Sequence, residues 1–253
     1  NWGYLVEFVG NYKYKVLKKI GSGGFGYVEK IKLFNLSETC SGYYARKVLV
    51  PTHDLKMYKE RFKREVLSQS KCNNAHVVNI YICNLSSNTP FFIMELAECD
   101  LQSIIDSNSL VEAEKLKIIK MICLGVGHIH KLGFLHRDIK PHNILKYQDG
   151  NYKISDFGLV RKIISSEKSE VLTSLDIRLG TENYVAPELR YIGNDYNEKT
   201  DIFAMGKCFE LLQVQNTAVK KIITKCSKMD PENRYDSVDE LLNMFELATG
   251  ESS

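Results

Sequence analysis

The chain has 253 residues, 44% of them hydrophobic, so it can bury a sizeable core as one large domain or two small ones. Its formal net charge of +3 is too small a surplus to indicate nucleic acid or an anionic membrane surface as a partner. No apolar run is long enough to cross a bilayer, so no membrane segment is predicted. The seven cysteines form no C-x-x-C pair and lack zinc-ligand spacing, which indicates reduced thiols and predicts a cytoplasmic location.

The first third of the chain is predicted to form an antiparallel sheet and one helix. Its apolar runs are rich in Tyr, Val, Ile and Leu and are separated by glycines and polar residues. The predicted strands cover residues 14–20, 27–34, 43–50, 77–82 and 91–96. A helix is predicted from about 55 to 71, where Phe62 and Val66 lie one turn apart on the same face.

After Asp100 the pattern becomes mostly helical. A long helix is predicted behind a capping box formed by Ser109 and Glu112, and a small hairpin is predicted at 144–154. Further helices are predicted at 200–212, at 217–229 and behind a second capping box at Ser237 and Glu240. Strands first and helices later indicate an α+β fold with two lobes divided near residues 95–100, where a cleft would bind a ligand.

A glycine-rich run joins the first two predicted strands. Glycines let the backbone turn tightly and approach phosphate oxygens, which amide N–H groups can then cover. A tight hairpin explains the same glycines equally well, so the run alone does not identify a phosphate site. The run reads Gly21-Ser22-Gly23-Gly24-Phe25-Gly26-Tyr27-Val28.

The strongest chemical signal is a polar string between the long helix and the hairpin, which reads His136-Arg137-Asp138-Ile139-Lys140-Pro141-His142-Asn143. Asp138 can orient an attacking hydroxyl and accept its proton, and Lys140 can neutralise a transferring phosphoryl group. Asn143 can hold a metal ion, and Asp156, in the Asp-Phe-Gly triplet after the hairpin, can bind Mg²⁺.

Over nearly its whole length the chain resembles a eukaryotic-type (Hanks-type) serine/threonine protein kinase domain. The glycine-rich run, the Tyr44-Ala45-Arg46-Lys47 strand, the His136–Asn143 string, the Asp156-Phe157-Gly158 triplet and Ala186-Pro187-Glu188 occur in the family's order. The resemblance implies a bilobal kinase fold in one domain over 1–253, with an N-lobe of five strands and one helix at about 1–96 and a mainly helical C-lobe from about 100. It also implies ATP and Mg²⁺ as cofactors and proteins as substrates.

The resemblance assigns roles that the residues alone leave ambiguous. Lys47 is expected to bind the α- and β-phosphates of ATP, and Asn143 and Asp156 to bind the metal. The expected nucleotide contacts are Gly21, Ser22, Gly23, Gly24, Phe25, Gly26, Val28, Ala45, Lys47, Met94, Glu95, Ala97 and Leu145. Within this set, Val28, Ala45 and Leu145 are expected to flank adenine, Met94 to be the gatekeeper, and Glu95–Ala97 to offer backbone groups.

The partner of Lys47 should be a glutamate of the first helix, where Glu60 and Glu65 compete. We expect Glu65, because its spacing from Phe62 and Gln69 places it on their stripe, whereas Glu60 turns away. Gln69 departs from the family, since it occupies a position that is usually apolar. Because a buried polar group needs a partner, the helix is expected to be poised between two positions.

Serine/threonine specificity follows from Lys140 and from Thr181, which resembles the threonine that bonds the catalytic aspartate and lysine. In the family, an arginine such as Arg137 pairs with an activation-loop phosphate. Two acceptors are candidates, Thr173 and Ser174, but by spacing from Thr181 the usual phosphosite falls near Asp176 or Ile177. Partial phosphate mimicry by Asp176 and a merely solvated loop stay open as alternatives.

The remaining expectations concern the C-lobe and the class of function. The resemblance gives Asp201 the anchoring of the catalytic loop and makes Glu188 and Arg234 a buried ion pair. The chain after the Asp201 helix is shorter than in the family, which puts inherited docking modes in doubt and predicts exposed apolar surface there. Autophosphorylation of the activation loop and an activating homodimer are further expectations. A pseudokinase scaffold and a small-molecule phosphotransferase are the competing hypotheses.

Overall fold

The computed structural model describes residues 6–23, 26–50, 55–162, 182–191 and 195–250. Two compact units divide the chain. The strand unit comprises residues 1–73 and 78–97, and the helical unit comprises residues 74–77 and 98–253. The order of elements, strands first and helices later, is the one that the sequence predicts.

The strand unit contains one antiparallel sheet in the order β1-β2-β3-β4-β6-β5. Its strands are β1 (Val6–Val9), β2 (Tyr12–Gly23), β3 (Gly26–Asn35), β4 (Ser41–Leu49), β5 (Ile80–Asn84) and β6 (Phe91–Glu95). The expected number of five strands was wrong, because Val6–Val9 adds a sixth, turning back onto β2 at Gly10, whose φ is +54°. A four-residue strand carries too little periodicity to be recognised, and its hydrogen bonds to β2 define it.

One face of this sheet is buried. Along β3, the side chains at 29, 31 and 33 are buried and those between them are half-buried, as the two-residue repeat of a strand requires. An apolar cluster covers this face and includes Tyr14, Ile31, Leu33, Val48 and Phe91. The other face carries Val28, Ala45 and Lys47.

The buried face also contains a charged cluster that ties β1 to the rest of the sheet. The Arg46 guanidinium contacts Glu29 at 2.5 Å and Glu7 of β1 at 3.1 Å, and it also donates to the Tyr14 hydroxyl. It lies near both the Tyr14 and the Phe91 rings, at 4.6 and 5.0 Å from their centres. A buried cation needs such pairing because its desolvation is costly.

Helix α1 (Leu55–Gln69) packs on the sheet through aromatic rings, with the centres of Phe62 and Phe92 5.3 Å apart. Gln69, at its last turn, is buried and donates from Nε2 to the main-chain oxygen of Val78 at 2.9 Å. The polar group that departs from the family therefore has a partner, although its Oε1 has no donor among the described residues.

The helical unit contains five α-helices within the described residues. These are α2 (Leu101–Ser107), α3 (Glu112–Lys131), α4 (Glu198–Glu210), α5 (Thr217–Cys226) and α6 (Val238–Thr249). Short strands accompany them: β7 (Cys99–Asp100), β8 (Phe134–Leu135), β9 (Ile144–Lys146), β10 (Tyr152–Ile154) and β11 (Arg161–Lys162). The order β10-β9-β7 contains the predicted hairpin, whereas β8 pairs with β11. Single 3₁₀ turns span Pro141–Asn143, Glu182–Tyr184, Pro187–Arg190 and Pro231–Asn233.

The two predicted capping boxes have different outcomes. Ser237 caps α6 by accepting from the Glu240 amide at 3.2 Å, as expected. The box at Ser109 and Glu112 was wrong, because α3 begins at Glu112 itself and Glu114 reaches back to the Val111 amide at 3.1 Å. Glu112 and Glu114 lie only two residues apart. The position of the first apolar residue in the sequence therefore did not show which of them would form the capping box.

Glu112 instead makes a long-range contact. Its Oε1 accepts from the amides of Gln215 at 2.7 Å and Asn216 at 3.0 Å. Those residues lie in the short link between α4 and α5, which runs from residue 211 to 216. The link that follows the Asp201 helix is therefore short, and a carboxylate from α3 accepts hydrogen bonds from its backbone.

The link leaves part of its surroundings apolar and exposed. Met229, just beyond α5, is 71% exposed, and Leu211 is 38% exposed. None of the described helices combines the length and the apolar composition needed to cross a membrane.

Candidate active site

Lys47 and Glu65 form an ion pair within the strand unit. The Lys47 Nζ lies 2.5 Å from the Glu65 Oε1, and the glutamate side chain is only 5% exposed. β4 places Lys47 opposite Val28 and Phe92, and α1 supplies Glu65 from its buried face. In such a low-dielectric position the pair holds the lysine in one place, ready to bind an anion.

Phe92 connects the two elements that carry this pair. Its ring packs on Phe62 of α1, and the Lys47 ammonium lies 5.9 Å from its centre. Glu60, the competing glutamate, is exposed on the opposite side of α1. The structure therefore brings Lys47 together with Glu65 and not with Glu60.

The glycine-rich run continues from β2 into β3, with Gly23 paired to Gly26 and Gly21 to Val28. A Cβ on Gly26 would lie 1.9 Å from the Val48 main-chain oxygen, so packing alone requires that glycine. Gly23 is different, because no described atom lies within 4 Å of a Cβ built there and its φ is not positive. An open side above a glycine fits the close approach of a phosphate.

Gly24 and Phe25, at the tip of the run, lie outside the described residues. Ser22, on β2, is exposed and pairs with Tyr27. Among the predicted nucleotide contacts of this unit, Met94 is buried on β6 opposite Ala45.

Glu95 ends β6 and is held on both its main chain and its side chain by Asn79. Its amide donates to the Asn79 main-chain oxygen at 3.3 Å, and its carboxylate accepts from the Asn79 amide at 2.7 Å. Ala97 is half-buried two residues further on. The last predicted contact, Leu145, lies on β9 of the helical unit, where it pairs with Lys153 and with Asp100.

A buried carboxylate organises the catalytic string in the helical unit. Asp201, on α4, accepts from the His136 amide at 2.8 Å and from the Arg137 amide at 2.9 Å. It also contacts His130 of α3 at 2.9 Å. These contacts hold Arg137 at a φ of +69°, a left-handed conformation that a non-glycine residue adopts only when its surroundings require it.

Two side chains, Lys140 and Asn143, hold the Asp138 carboxylate. The Lys140 ammonium lies 2.8 Å from Oδ2 and 3.0 Å from Oδ1. The Asn143 amide nitrogen donates to Oδ2 at 2.9 Å and to the Asp138 main-chain oxygen at 2.8 Å. The 3₁₀ turn at Pro141–Asn143 brings these side chains together, so the carboxylate is fixed in orientation.

The pKa of Asp138 is raised above its ordinary value. Burial is the main cause, the positive charge and hydrogen bond of Lys140 oppose it, and the nearby Asp156 carboxylate adds to the rise. A carboxylate with a raised pKa is a better proton acceptor. Lys140 therefore limits how far the pKa of the base can rise.

Asp156 and Asn143 form a donor set that suits Mg²⁺. Asp156 has a φ of +62° and accepts from the Gly158 amide at 3.3 Å, so its backbone is held in an uncommon conformation. The Asn143 nitrogen is used by Asp138, which orients the amide oxygen away from that carboxylate. A carboxylate and an amide oxygen near a second carboxylate are hard ligands, and a divalent cation would offset their mutual repulsion.

The predicted activation-segment residues Thr173, Ser174, Asp176 and Thr181 lie outside the described residues. Arg137, the expected phosphate partner, has its guanidinium 4.2 Å from the centre of the Tyr196 ring. Its Nε is buried and has no hydrogen-bond partner among the described residues.

Glu188 and Arg234 form the expected ion pair, in a bidentate geometry with both distances 2.7 Å. The Arg234 side chain is completely buried and also donates to the main-chain oxygens of residues 199, 228 and 229. The centre of the Phe203 ring lies 4.8 Å from this guanidinium. The segment at Ala186–Glu188 is thereby fixed to the C-terminal part of the helical unit.

Sequence reasoning missed two positioning groups. His130 contacts Asp201 at 2.9 Å and Glu198 at 3.6 Å, and these carboxylates raise its pKa to about 9 although burial acts in the opposite direction. The Ser155 main-chain oxygen accepts from the His136 ring at 3.0 Å and holds the string against β10. For His130 the available signal in the sequence was a histidine on the apolar stripe of α3. The contact made by the Ser155 main-chain oxygen leaves no signal in the sequence.

The chain belongs to the protein kinase domain family, whose sequence model matches residues 14–218. The bilobal α+β fold of that family accounts for the strand unit and the helical unit.

Named relatives of the chain are serine/threonine protein kinases. It is 29% identical over 267 residues to a probable serine/threonine-protein kinase of Clostridium acetobutylicum, covering 91% of this chain and 39% of the relative. It is 28% identical over 262 residues to PrkC of Bacillus subtilis, covering 90% and 39%. It is 31% identical over 209 residues to cds1 of Schizosaccharomyces pombe, covering 78% and 43%. The chain thus spans about two fifths of the length of these relatives.

Proposed function

We propose that this chain catalyses the ATP- and Mg²⁺-dependent transfer of the γ-phosphoryl group to serine and threonine hydroxyls of proteins. The observation that carries the proposal is the fixed Asp138 carboxylate, held by Lys140 and Asn143 on a loop that Asp201 anchors. Phosphoryl transfer needs positioning and charge neutralisation more than covalent chemistry, and these groups supply both.

Each of these side chains has its own role in the proposed phosphoryl transfer. Asp138 orients the substrate hydroxyl and accepts its proton, and Lys140 neutralises the oxygens of the transferring group. Lys47, fixed by Glu65, binds the α- and β-phosphates, and the amides of the glycine-rich run cover the phosphate oxygens. Bound Mg²⁺ would supply charge neutralisation between the phosphate oxygens, and Asn143 and Asp156 are the residues that would hold it.

The remaining nucleotide contacts are those that the family resemblance implies. Val28 and Ala45 offer an apolar surface to adenine, as does Leu145 on β9, and Met94 limits the space beside it. Glu95 and Ala97 offer main-chain groups. Thr181 completes the set by bonding the catalytic Asp138 and Lys140, as the family resemblance implies.

Phosphate transfer from radiolabelled ATP with Mg²⁺, to the protein itself and to a generic basic protein, tests this proposal. The Asp138→Asn variant removes the proton acceptor but keeps the shape, and Asp106→Asn is the matched control because Asp106 is exposed on α2. We expect label on serine or threonine that vanishes in Asp138→Asn and persists in Asp106→Asn. Label confined to tyrosine would contradict the proposed specificity.

A binding measurement separates the competing scaffold hypothesis. If wild type and Asp138→Asn bind ATP with equal affinity but neither transfers label to any substrate, the chain acts as a binding scaffold and the proposal fails. Equal transfer by Asp138→Asn and wild type would also contradict it, because the geometry gives no other described side chain the same place.

We also propose that the domain phosphorylates its own activation loop. Thr173 and Ser174 are the candidate acceptors, and Asp176 is a candidate for supplying part of the charge without phosphorylation. Activity that collapses in Asp176→Ala supports mimicry, and unchanged activity removes it. Peptide mapping of the labelled protein locates the modified residues.

Several wider expectations stay predictions. One kinase domain over 1–253, protein substrates, an activating homodimer and a cytoplasmic location follow from the resemblance and the composition. All seven cysteines are free, which is compatible with a reducing compartment. Burial raises the pKa of the Cys99 thiol, so this half-buried cysteine is a poor nucleophile at neutral pH.

A further inference from the structure

The two units carry opposite charge, which the small net charge of the chain conceals. Residues 1–97 contain 14 Lys and Arg against 7 Asp and Glu, a surplus of seven positive charges. Residues 98–253 contain 20 Lys and Arg against 24 Asp and Glu, a surplus of four negative charges. An asymmetry of this size indicates that the basic part meets an anionic partner.

Part of the surplus is concentrated on one face of β2, β3 and β4. Lys15 pairs with Lys32, and Lys32 pairs with Tyr43, so these three side chains project from the same face. Lys30 and Phe34 lie two residues to either side of Lys32 on β3 and share that face. We call these five residues the lysine–aromatic patch.

The patch continues the face that carries Val28, Ala45 and Lys47. β3 alternates strictly, with its even-numbered side chains half-buried and its odd-numbered ones buried from 29 to 33. The patch therefore lies on the same side of the sheet as the proposed nucleotide contacts of the strand unit, displaced along the strands.

Within the patch, each ammonium lies on an aromatic ring and none has an ion-paired carboxylate among the described residues. Lys15 lies 5.9 Å and Lys32 5.2 Å from the centre of the Phe34 ring. Lys30 lies 4.8 Å and Lys32 5.7 Å from the centre of the Tyr43 ring. Directly opposed like charges destabilise a sheet, so this arrangement costs stability unless an anion neutralises it.

We propose that the lysine–aromatic patch binds an acidic segment of a protein substrate. The inference rests on the proposed function only in taking the partner to be a protein substrate. Ammonium groups held over rings are oriented donors for carboxylates, and a row of them matches a row of Asp and Glu side chains.

The rings themselves argue against a nucleic acid as the partner. Single strands bind proteins by stacking bases on exposed aromatic faces. Here the ammonium groups of Lys15 and Lys32 lie near the Phe34 ring, and those of Lys30 and Lys32 lie near the Tyr43 ring. Both rings therefore already contact lysines instead of offering a free face to a base. Carboxylates need only the ammonium groups and leave the rings where they are.

Fluorescence anisotropy with a labelled peptide of alternating Glu and Ser tests the proposal, in the absence of ATP. The same peptide with Gln in place of Glu, and single-stranded DNA of equal formal charge, serve as comparison ligands. The test variant is Lys15→Gln/Lys30→Gln/Lys32→Gln. The matched control, Lys56→Gln/Lys63→Gln/Lys71→Gln, removes the same charge from exposed positions of the same unit.

We expect the acidic peptide to bind wild type, and the patch variant to bind it roughly tenfold more weakly, as three partly exposed ion pairs would give. The control should keep wild-type affinity, and added salt should weaken binding. Circular dichroism checks folding, and the single variant Lys32→Gln, which should show a smaller loss, replaces the triple variant if that one misfolds.

Equal losses in the patch variant and the control would overturn the proposal, since net charge alone would then explain binding. Tighter binding of the DNA than of the acidic peptide would overturn it in favour of a nucleic-acid surface. Because binding is measured without phosphate transfer, the result does not depend on the proposed kinase activity. A protein without activity can still bind the acidic peptide at the patch, and an active protein can fail to bind it.

Discussion

His130 is expected to make the stability of the protein depend on pH in the range where most other groups do not titrate. The contacts with Asp201 and Glu198 raise its pKa to about 9, so the ring is protonated in the folded protein at neutral pH. In the unfolded chain its pKa returns to about 6.5. A histidine whose pKa is raised by folding contributes stability below the unfolded pKa and loses it as pH rises through the folded pKa.

The expected size follows from these two pKa values. Between pH 7 and pH 8.5 the stabilisation from protonated His130 falls by about 2 kcal/mol, since each tenfold difference in proton affinity corresponds to about 1.4 kcal/mol. The side chain is buried, so solvent screening does not reduce this value substantially. Buried thiols such as Cys123 and Cys208, whose pKa values burial raises, also lower stability as the unfolded thiols begin to ionise near pH 8.5, and they do so equally in wild type and variant.

Urea unfolding at pH 7 and pH 8.5, followed by circular dichroism, measures this difference directly. The test variant is His130→Gln, which keeps an amide that can donate to Asp201 but cannot carry a proton charge. His142→Gln is the matched control because its ring is exposed. We expect wild type and the control to lose about 2 kcal/mol more stability between the two pH values than His130→Gln does.

An imidazole resonance of His130 that titrates near or below 6.5 would refute the reasoning. So would a pH dependence in His130→Gln equal to that of wild type. In either case the carboxylates around the ring would not stabilise its charge, and the anchoring of the catalytic loop would rest on the main-chain contacts of Asp201 alone.

Three further predictions concern charged groups inside the units. Lys140→Gln should raise the pKa of Asp138, because the lysine opposes the effect of burial, so the acid limb of the pH–kcat profile should move to higher pH while kcat falls. A limb that stays in place would show that another group limits the rate. Arg234→Met should cost about 3–5 kcal/mol in urea unfolding, since it strands the Glu188 carboxylate, and a loss below 1 kcal/mol would contradict the buried pair. Arg46→Met should cost a similar amount and expose β1 to hydrogen exchange, whereas unchanged protection of β1 would show that its hydrogen bonds to β2 suffice.

The sequence determined those parts of the protein that are coded locally. Alternating apolar residues gave the main strands, and the glycines gave the turn between β2 and β3. The string from His136 to Asn143 indicated phosphoryl transfer because a carboxylate, a lysine and an amide at those spacings have few other uses. Helical spacing favoured Glu65 over Glu60, and the structure places Glu65 next to Lys47.

Tertiary structure decided the features whose partners are distant in the chain. Strand β1 exists because its backbone pairs with β2 and because Arg46, far away in sequence, reaches Glu7. Glu112 was expected to cap its own helix but binds amides about 100 residues further on, since a carboxylate binds whichever donors the fold brings near. The pKa of His130 likewise depends on two carboxylates of another helix, which outweigh the opposing effect of burial. Short-range patterns record periodicity and turn chemistry, whereas these contacts depend on which elements meet, and that is set only when the whole core forms.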